Sequence, residues 1–399
     1  MQEIFKGNFT QQEPIPEDGI AAALDVMRSG RLHRYNLSPG ELGEVGLLER
    51  EFAAYVGSKY ALAVCSGGYA LATALRALDV KPGDKGLTNA FTLAPVPGSI
   101  ASVGAVPVFV GVTEDLVIDL DDLAEKAHLS NVLMLSHMRG HICDMDRLLE
   151  ICSEAGVKIV EDCAHTMGAA WRGVPSGRYG AIGCYSTQTY KHMNSGEGGV
   201  LVTDDDEIMA RATMLSGSYM LYERHGAVPG PEVFDSVKYT TPNVSGRMDH
   251  LRAAILRPQL TKLDAQCDAW NARYQVVEDG LRDTPGLRLA DRPNEERYVG
   301  SSLQFLLLDW PDVAISDVLG RCLGRGVELK WFGGAEPVGF TSRYDSWRYA
   351  PSERMPASDR ILHGVIDMRL PLTFSLEDCA LIARIIRSEV GAVWQEQAA

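Results

Sequence analysis

The sequence predicts an α/β protein with a large three-layer αβα domain around a mostly parallel sheet and a smaller C-terminal α+β domain. From Tyr60 onward, short apolar runs alternate with longer helical patterns, which is typical of βαβ units. A long helical pattern over Asp249–Leu281 ends this alternation, and the remaining residues mix single strands with helices. We therefore expect a large domain over residues 1–260, including the N-terminal segment, and a small domain over residues 261–399.

The individual elements follow from local patterns. Short apolar runs predict strands at Ala61–Cys65, Val106–Val110, Val132–Ser136 and Val157–Glu161. Apolar residues spaced three and four apart predict helices at Tyr69–Leu78, Leu120–Ala127 and Met145–Ala155. The small domain has a predicted strand at Ser302–Leu308 and predicted helices at Ile315–Gly324 and Leu376–Val390. After Ala181, the strand-like segments CYSTQTY and GGVLVTD flank a glycine-rich loop, which indicates a sheet edge reorganised around a site.

The charge of the chain disfavours nucleic acids and anionic membranes as partners. The 399 residues include 38 Lys+Arg and 53 Asp+Glu, a formal net charge of −15, and no basic run concentrates positive charge. The stretch Gly86–Thr113 carries no charge, but prolines and glycines divide it into pieces too short to span a bilayer. This stretch therefore predicts a buried strand–helix–strand unit.

The N-terminus and the cysteines indicate a cytoplasmic protein. Met1–Gly19 lacks the basic start and the apolar core of a signal peptide. The eight cysteines form no C-x-x-C pair and no regular spacing typical of a disulfide framework. We therefore expect reduced thiols.

Several common motifs are absent or incomplete. His137 and His141 have the i, i+4 spacing of a zinc helix, but a glycine and no glutamate lie between them, so we expect no metal. The sequence has neither a P-loop nor a G-x-S-x-G motif. The glycines of Gly196–Gly199 do not form G-x-G-x-x-G, which disfavours a nicotinamide oxidoreductase.

The segment Ser66-Gly67-Gly68 lies directly between a predicted strand and a predicted helix. Bare backbone N–H groups at a helix N-terminus suit a phosphate dianion. A Gly-Gly turn in any strand–helix loop has the same sequence pattern, so this segment predicts a phosphate site only in combination with other elements.

Asp162 follows the apolar strand VKIV, within Glu161-Asp162-Cys-Ala-His165. A carboxylate at the end of a central strand faces the crevice where ligands bind in open α/β sheets. There it could keep the nitrogen of a pyridine ring protonated, and a protonated ring is an electron sink. The alternative is a helix-capping aspartate.

Lys191 follows an uncharged stretch, Tyr179–Tyr190, and precedes a flexible glycine loop. A lysine among uncharged residues loses its proton more easily than a solvated one and can attack an aldehyde to form a Schiff base. Most lysines are surface charges, but the uncharged stretch argues against a solvated face. Phe91, just past a predicted strand, could stack on a flat ring or pack in the core.

These four elements stand in the order expected for a pyridoxal phosphate (PLP) site, and the chain resembles the DegT/DnrJ/StrS family of aminotransferases. The resemblance extends from about Leu48 through Ile255, with a looser match to the end. It is most specific in the segments GAVPVFV, EDCAHTMGA, CYSTQTYKHMNSGEGG and GRMDHLRAAI. It implies the fold of the fold-type-I PLP transferases, and a homodimer with active sites at the interface.

The resemblance also implies roles for individual residues. Lys191 would be the Schiff-base lysine, Asp162 the partner of the pyridinium nitrogen, and Phe91 the stacking ring. His165 would lie beside the ring hydroxyl. The phosphate contacts would come from Gly67, Gly68 and Ser186.

The sequence departs from the family pattern at two phosphate contacts. The usual Ser-Gly-Thr of the phosphate loop is Ser66-Gly67-Gly68 here, which removes one hydroxyl. The family's Asn-x-Arg-Met, which reaches the partner subunit's site, aligns with Ser245-Gly-Arg247-Met248, and Asn243 lies two positions earlier. Either Ser245 or Asn243 would therefore contact the phosphate.

The resemblance implies transfer of an amino group from L-glutamate or L-glutamine to a ketone or aldehyde of a sugar, cyclitol or related polyol. The alternatives are a PLP-dependent dehydratase and a non-catalytic regulatory member of the same fold. Some family members are dehydratases that replace the lysine with histidine. Lys191 favours transamination, although His192 is its neighbour.

Overall fold

The computed structural model describes residues 3–398. In chain order its strands are β1 (Tyr60–Val64), β2 (Lys85–Asn89), β3 (Val106–Val110), β4 (Val132–Ser136), β5 (Lys158–Asp162), β6 (Ala170–Trp171), β7 (Val174–Pro175), β8 (Ile182–Ser186), β9 (Gly199–Thr203), β10 (Arg288–Leu289), β11 (Glu296–Arg297), β12 (Ser302–Leu306), β13 (Lys330–Trp331) and β14 (Val365–Arg369). Its α-helices are α1 (Glu17–Ser29), α2 (Glu44–Val56), α3 (Gly67–Ala77), α4 (Pro95–Ser102), α5 (Leu120–Lys126), α6 (Met145–Ala155), α7 (Asp206–Ser216), α8 (Pro231–Val237), α9 (His250–Leu260), α10 (Leu263–Leu281), α11 (Asp312–Gly324), α12 (Pro356–His363) and α13 (Leu376–Ala398).

The largest sheet has seven strands in the order β1-β9-β8-β5-β4-β2-β3. Strand β9 is antiparallel to both its neighbours, and the other neighbouring pairs are parallel. The carboxyl ends of β1, β2, β4, β5 and β8 therefore lie at one edge of the sheet. Ligands bind at this edge in open α/β sheets.

The prediction that the two strand-like segments after Ala181 lie at a sheet edge is wrong. Strands β8 and β9 lie inside the sheet, and β1 forms its edge. The reason is that β1 is itself a wholly buried run, which pairs with β9 along the full length of both strands, from Tyr60↔Thr203 to Val64↔Gly199.

Side chains of the seven-stranded sheet alternate between two apolar cores, one on each face. In β4, Leu133 and Leu135 belong to one core, and Val132 and Met134 belong to the other. The first core also contains residues of α2, α6 and α9, and the second contains residues of α3, α4 and α7. This alternation follows the two-residue period of a strand, and it confirms the predicted three-layer αβα architecture.

Most predicted elements are confirmed, with small shifts at their ends. The predicted strands Val106–Val110 and Val132–Ser136 have the observed bounds. The stretch Gly86–Thr113 forms β2, α4 and β3, and no helix of residues 3–398 is long and apolar enough to cross a membrane. The long predicted helix is two helices, α9 and α10, because the chain turns at Thr261 and Lys262 just after Pro258.

The C-terminal part of the chain has its own four-stranded antiparallel sheet, in the order β10-β12-β14-β13. An apolar core joins this sheet to α10, α11 and α13. Phe5 and Phe9 from the N-terminal segment also belong to this core, each edge-to-face with Phe374 at 4.9 and 5.0 Å. The domain boundary at residue 260 stays a prediction.

Candidate active site

A cavity of about 440 Å³ opens at the carboxyl edge of the large sheet. Gly67, Asp162 and Lys191 line it from the large sheet and its loops, and Arg369 lines it from the end of β14. The sequence-predicted residues His165, Ser186 and Gly68 also line it. The structure therefore brings together six of the nine residues predicted for the site.

One end of the cavity is the N-terminus of α3. Ser66 caps this helix, and its Oγ accepts a hydrogen bond from the Tyr69 N–H at 3.1 Å. The first N–H groups of a helix have no acceptor within the helix, so those of Gly67 and Gly68 are available to a ligand. A Cβ on Gly67 would lie only 2.9 Å from the Cβ of Ser186. The absence of a side chain at Gly67 therefore allows the two segments to lie this close together. This end of the cavity, called the anion cradle below, presents the N–H groups of Gly67 and Gly68 and the Ser186 hydroxyl, which are donors that could hold an anion.

Asp162 is the last residue of β5, in the middle of the sheet, and is buried. One carboxylate oxygen accepts a hydrogen bond from the Ala164 N–H at 3.1 Å, and the other accepts one from Ser136 Oγ at 3.3 Å. Burial raises the pKa of Asp162, and nearby Lys191 lowers it. The helix-capping interpretation is wrong, because a turn and then β6 follow Asp162. Asp162 lines the cavity, and its pairing with a ring nitrogen stays a prediction.

Lys191 and His165 meet in the cavity, with Nζ and Nε2 2.7 Å apart. Burial lowers the pKa of Lys191 to about 7, and Arg139 contributes to the shift. Burial also lowers the pKa of His165 well below its ordinary value, with Lys191 and Arg139 acting in the same direction. Near neutral pH a substantial fraction of Lys191 is therefore an uncharged amine beside a neutral imidazole.

Phe91 does not line the cavity. Its ring is buried in an apolar cluster and lies edge-to-face with Phe332, with the ring centroids 5.3 Å apart. The residue of this segment that lines the cavity is Leu93. Of the two positions that the sequence allows for Phe91, the structure has the core position.

Asn243 and Ser245 lie outside the cavity of their own chain, and both are exposed. Arg247 is bound within its own chain, since Nη1 donates to the Gly217 carbonyl at 2.8 Å and Nη2 donates to Ser245 Oγ at 3.2 Å. Any contact of Asn243 or Ser245 with a bound phosphate would therefore have to be made in a second copy of the chain.

A match to the DegT/DnrJ/EryC1/StrS aminotransferase family covers residues 15–387. The chain belongs to this aminotransferase family. It is 33% identical over 279 residues to L-glutamine:scyllo-inosose aminotransferase of Streptomyces griseus, over 68% of this chain and 63% of that relative. It is 34% identical over 286 residues to dTDP-3-amino-3,4,6-trideoxy-alpha-D-glucose transaminase of Streptomyces venezuelae, over 69% of each.

The fold of this aminotransferase is also that of a solved relative. The crystal structure of 3-amino-5-hydroxybenzoic acid synthase superposes with a TM-score of 0.83 at 25% identity, over 98% of this chain and 100% of that one. The Streptomyces griseus relative is named for a cyclitol and the Streptomyces venezuelae relative for a nucleotide sugar, and the chain is an aminotransferase of the same family.

His192 of the aminotransferase does not line the cavity beside Lys191. Its ring is buried, with Nδ1 2.7 Å from the Met167 carbonyl oxygen and Nε2 3.0 Å from Ser301 Oγ. Burial lowers its pKa to about 4. These contacts hold the imidazole as a neutral structural group.

The cavity-lining residues that sequence reasoning missed include Leu93, Arg139, Tyr190 and Arg369. Arg139 is the single charge in the otherwise uncharged run LMLSHMRG, and Arg369 ends a mostly apolar strand. A charge in an apolar run was the available signal. The sequence pattern does not predict which cavity the charged side chain lines, because its position depends on how the small sheet packs against the large one.

Proposed function

We propose that the protein is a PLP-dependent aminotransferase that moves an amino group from L-glutamate or L-glutamine to a keto or aldehyde group of a sugar, cyclitol or related polyol. The observation that carries the proposal is the close pair of Lys191 Nζ and His165 Nε2 in a cavity with an anion cradle and a buried carboxylate. The relatives named for cyclitol and sugar substrates support the acceptor class.

The residues of the cavity fit PLP. Gly67, Gly68 and Ser186 would hold its phosphate, because a dianion accepts hydrogen bonds from N–H and O–H groups. Asp162 would face the ring nitrogen, and a positive charge there would stabilise this buried carboxylate. Leu93 would cover one face of the ring with apolar surface. When bound, PLP supplies an electron sink for the amino-group transfer.

Lys191 is suited to two tasks because a substantial fraction of its amine is uncharged near neutral pH. An uncharged amine is the form that attacks an aldehyde carbon. The same amine, once released, can take a proton from the substrate carbon and return it. His165 holds Nζ in place through the 2.7 Å contact, and its own low pKa keeps it from adding a second charge.

The structure favours transamination over a dehydratase with a catalytic histidine. Lys191 is at the cavity, whereas His192 is bound to the Met167 carbonyl and to Ser301 on the other side. A regulatory protein without catalysis would not need an uncharged Lys191 amine, a buried Asp162 carboxylate and the anion cradle in one cavity. Their combination therefore favours an enzyme.

We propose further that the active protein is a homodimer whose partner subunit completes the phosphate site. Asn243 and Ser245 are exposed and lie away from their own cavity, on a surface that also exposes Tyr219, Met220 and Tyr239. A second copy would cover these apolar side chains and could bring one of the two polar residues to the phosphate.

The test is a single half-reaction without an acceptor. Protein loaded with PLP and treated with L-glutamine or L-glutamate should release about one keto acid per site and lose the visible absorbance of lysine-bound cofactor. Lys191→Ala should do neither, and it should give no borohydride-reducible lysine adduct. Lys330→Met, which removes another partly buried lysine near the cavity, is the matched control and should keep the adduct. Formation of the adduct in Lys191→Ala at wild-type stoichiometry would overturn the proposal.

A further inference from the structure

Tyr69 follows the two glycines of the anion cradle, but its side chain lies away from the cavity. It is the third residue of α3, and its backbone N–H is part of the cap of that helix. Its side chain does not line the cavity, and its partly buried ring packs beside the apolar core that contains α3, α4 and α7. The side chain therefore extends from the cradle helix toward another part of the chain.

The Tyr69 hydroxyl contacts two backbone carbonyls from different segments. Its oxygen lies 2.8 Å from the Leu215 carbonyl oxygen, near the C-terminal end of α7, and 3.0 Å from the Val244 carbonyl oxygen. A hydroxyl has a single proton to donate, so the two carbonyls share it. The hydroxyl thus links α3 to α7 and to the segment that carries Asn243 and Ser245.

The ring of Tyr69 packs directly on Gly246. A Cβ at Gly246 would overlap Cζ, Cε1 and Cε2 of the ring, so this close approach requires a residue without a side chain. The Gly246 N–H donates to the Ser216 carbonyl at 2.9 Å, and the Gly246 carbonyl accepts from the Cys65 N–H at 2.8 Å. The ring, α7 and the end of β1 therefore hold the segment 243–247 in one position.

This segment depends on such contacts because it lies outside the regular elements. Between α8 and α9, its strand pairing is an isolated bridge of Arg247 to Val64. Irregular surface segments are mobile unless other groups hold them. The backbone groups of Val244 and Gly246 are held, and the side chains of Asn243 and Ser245 between and beside them stay exposed. The contacts therefore fix the position from which the two polar side chains are presented to a second copy.

We propose that Tyr69 is a positioning residue for the cofactor site of the other subunit. By fixing the segment 243–247 of its own chain, it sets where Asn243 or Ser245 meets the phosphate of PLP bound in the partner. The inference rests on the proposed aminotransferase function and its homodimer. Helix α3 then serves two sites, because its first N–H groups hold the phosphate of its own chain and its Tyr69 side chain holds the segment offered to the other.

The test measures covalent PLP attachment. Tyr69→Phe keeps the ring and the helix cap and removes only the hydroxyl, and a thermal melt verifies that the variant is folded. In its homodimer, the PLP concentration that half-saturates the borohydride-reducible adduct at Lys191 should rise about three- to tenfold, as expected for losing one hydrogen bond. Tyr179→Phe is the matched control, because its hydroxyl donates to the Trp171 carbonyl away from the cavity, and it should keep the wild-type concentration.

Mixed dimers decide which site Tyr69 serves. Tyr69→Phe chains are exchanged with a large excess of Lys191→Ala chains, and mass spectrometry of the intact dimers verifies the exchange. Nearly every Tyr69→Phe chain then has a partner with an intact Tyr69, and it alone can form the adduct because the other chain lacks Lys191. We expect its half-saturating PLP concentration to return to the wild-type value. A concentration as high as in the Tyr69→Phe homodimer would show that the side chain acts on its own chain's site, and would overturn the inference.

Gly246→Ala is a second variant that leaves α3 unchanged and displaces the segment from the Tyr69 ring. It should raise the half-saturating PLP concentration in its homodimer, and mixed dimers with Lys191→Ala should restore the wild-type value. If the wild type forms the adduct and Tyr69→Phe homodimers need no more PLP than the wild type, the inference is wrong and the proposed function stands. A wild type that forms no adduct at Lys191 overturns the proposed function, and the inference falls with it.

Discussion

Nε2 of His165 lies 2.7 Å from Nζ of Lys191, and Nδ1 of the same ring lies 3.4 Å from the Arg139 N–H. A backbone N–H can only donate, so Nδ1 is the accepting nitrogen and Nε2 carries the proton. The imidazole then donates to the lone pair of the uncharged lysine amine. One histidine tautomer thus orients the amine, whose pKa is lowered by burial and by Arg139.

The first prediction concerns the pH dependence of PLP attachment. Burial and Arg139 lower the pKa of Lys191 to about 7, so the reactive neutral amine is scarce below pH 7 and dominant above it. The rate of covalent PLP attachment to cofactor-free protein should therefore rise about tenfold per pH unit below this pKa and level off above it. Stopped-flow absorbance across this range measures the rate.

The matched variant for this prediction is Arg139→Gln. Removing the nearby positive charge should move the midpoint of the pH profile to higher pH, because Arg139 disfavours the ammonium form of Lys191. A wild-type midpoint near the ordinary lysine value would show that Lys191 is solvated and not held as described.

The second prediction separates the two roles of Asp162. Asp162→Asn has nearly the same shape and keeps an oxygen for the Ala164 N–H, but it cannot pair with a protonated ring nitrogen. We expect PLP content close to the wild type and a kcat lower by about two orders of magnitude or more. Ser136→Ala removes one hydrogen bond to the same carboxylate and should cost much less. Near-normal turnover in Asp162→Asn would leave the residue with a structural role alone.

The site elements next to regular strands could be predicted from the sequence. Asp162 and Gly67 follow strands whose apolar runs are unmistakable, and the parallel sheet brings the ends of such strands to one edge. The order of the motifs then indicates the cofactor. Local sequence was sufficient because each residue is fixed by the strand that precedes it.

The remaining site residues depend on packing that no local pattern encodes. Phe91 and Leu93 are both apolar residues in a turn after β2, and the turn does not follow strand alternation, so the sequence cannot say which one faces the cavity. Arg139 and Arg369 are far apart in the chain and meet only because the small sheet packs over the edge of the large one.

The third prediction compares Leu93 with Phe91. Leu93→Ala removes apolar surface from the cavity wall and should weaken PLP binding several-fold, with little change in the free energy of unfolding of the cofactor-free protein. Phe91→Leu should lower that free energy by about 1–2 kcal/mol, because the ring packs against Phe332 in the core, and should leave PLP binding nearly unchanged. Denaturant unfolding and PLP titration measure the two effects. The reverse pattern would assign the stacking role to Phe91.

The fourth prediction tests whether two chains build one active site. The double variant Asn243→Glu/Ser245→Glu places two carboxylates on an exposed segment that does not line the cavity of its own chain. If this segment meets the phosphate in a partner subunit, like-charge repulsion should abolish turnover in that homodimer. A thermal melt close to that of the wild type should show that the fold is intact, because both side chains are on the surface.

Mixing this variant with Lys191→Ala should restore activity under conditions that exchange subunits. In a mixed dimer, one site combines both defects, and the other has an intact Lys191 and an unmodified partner segment. Random exchange makes about half of the dimers mixed, so about a quarter of all sites should turn over, provided that the sites are independent. Turnover measured before and after exchange gives this fraction, and mass spectrometry of the intact dimers verifies the exchange. Verified exchange without recovered turnover would show that the segment acts on its own chain's site.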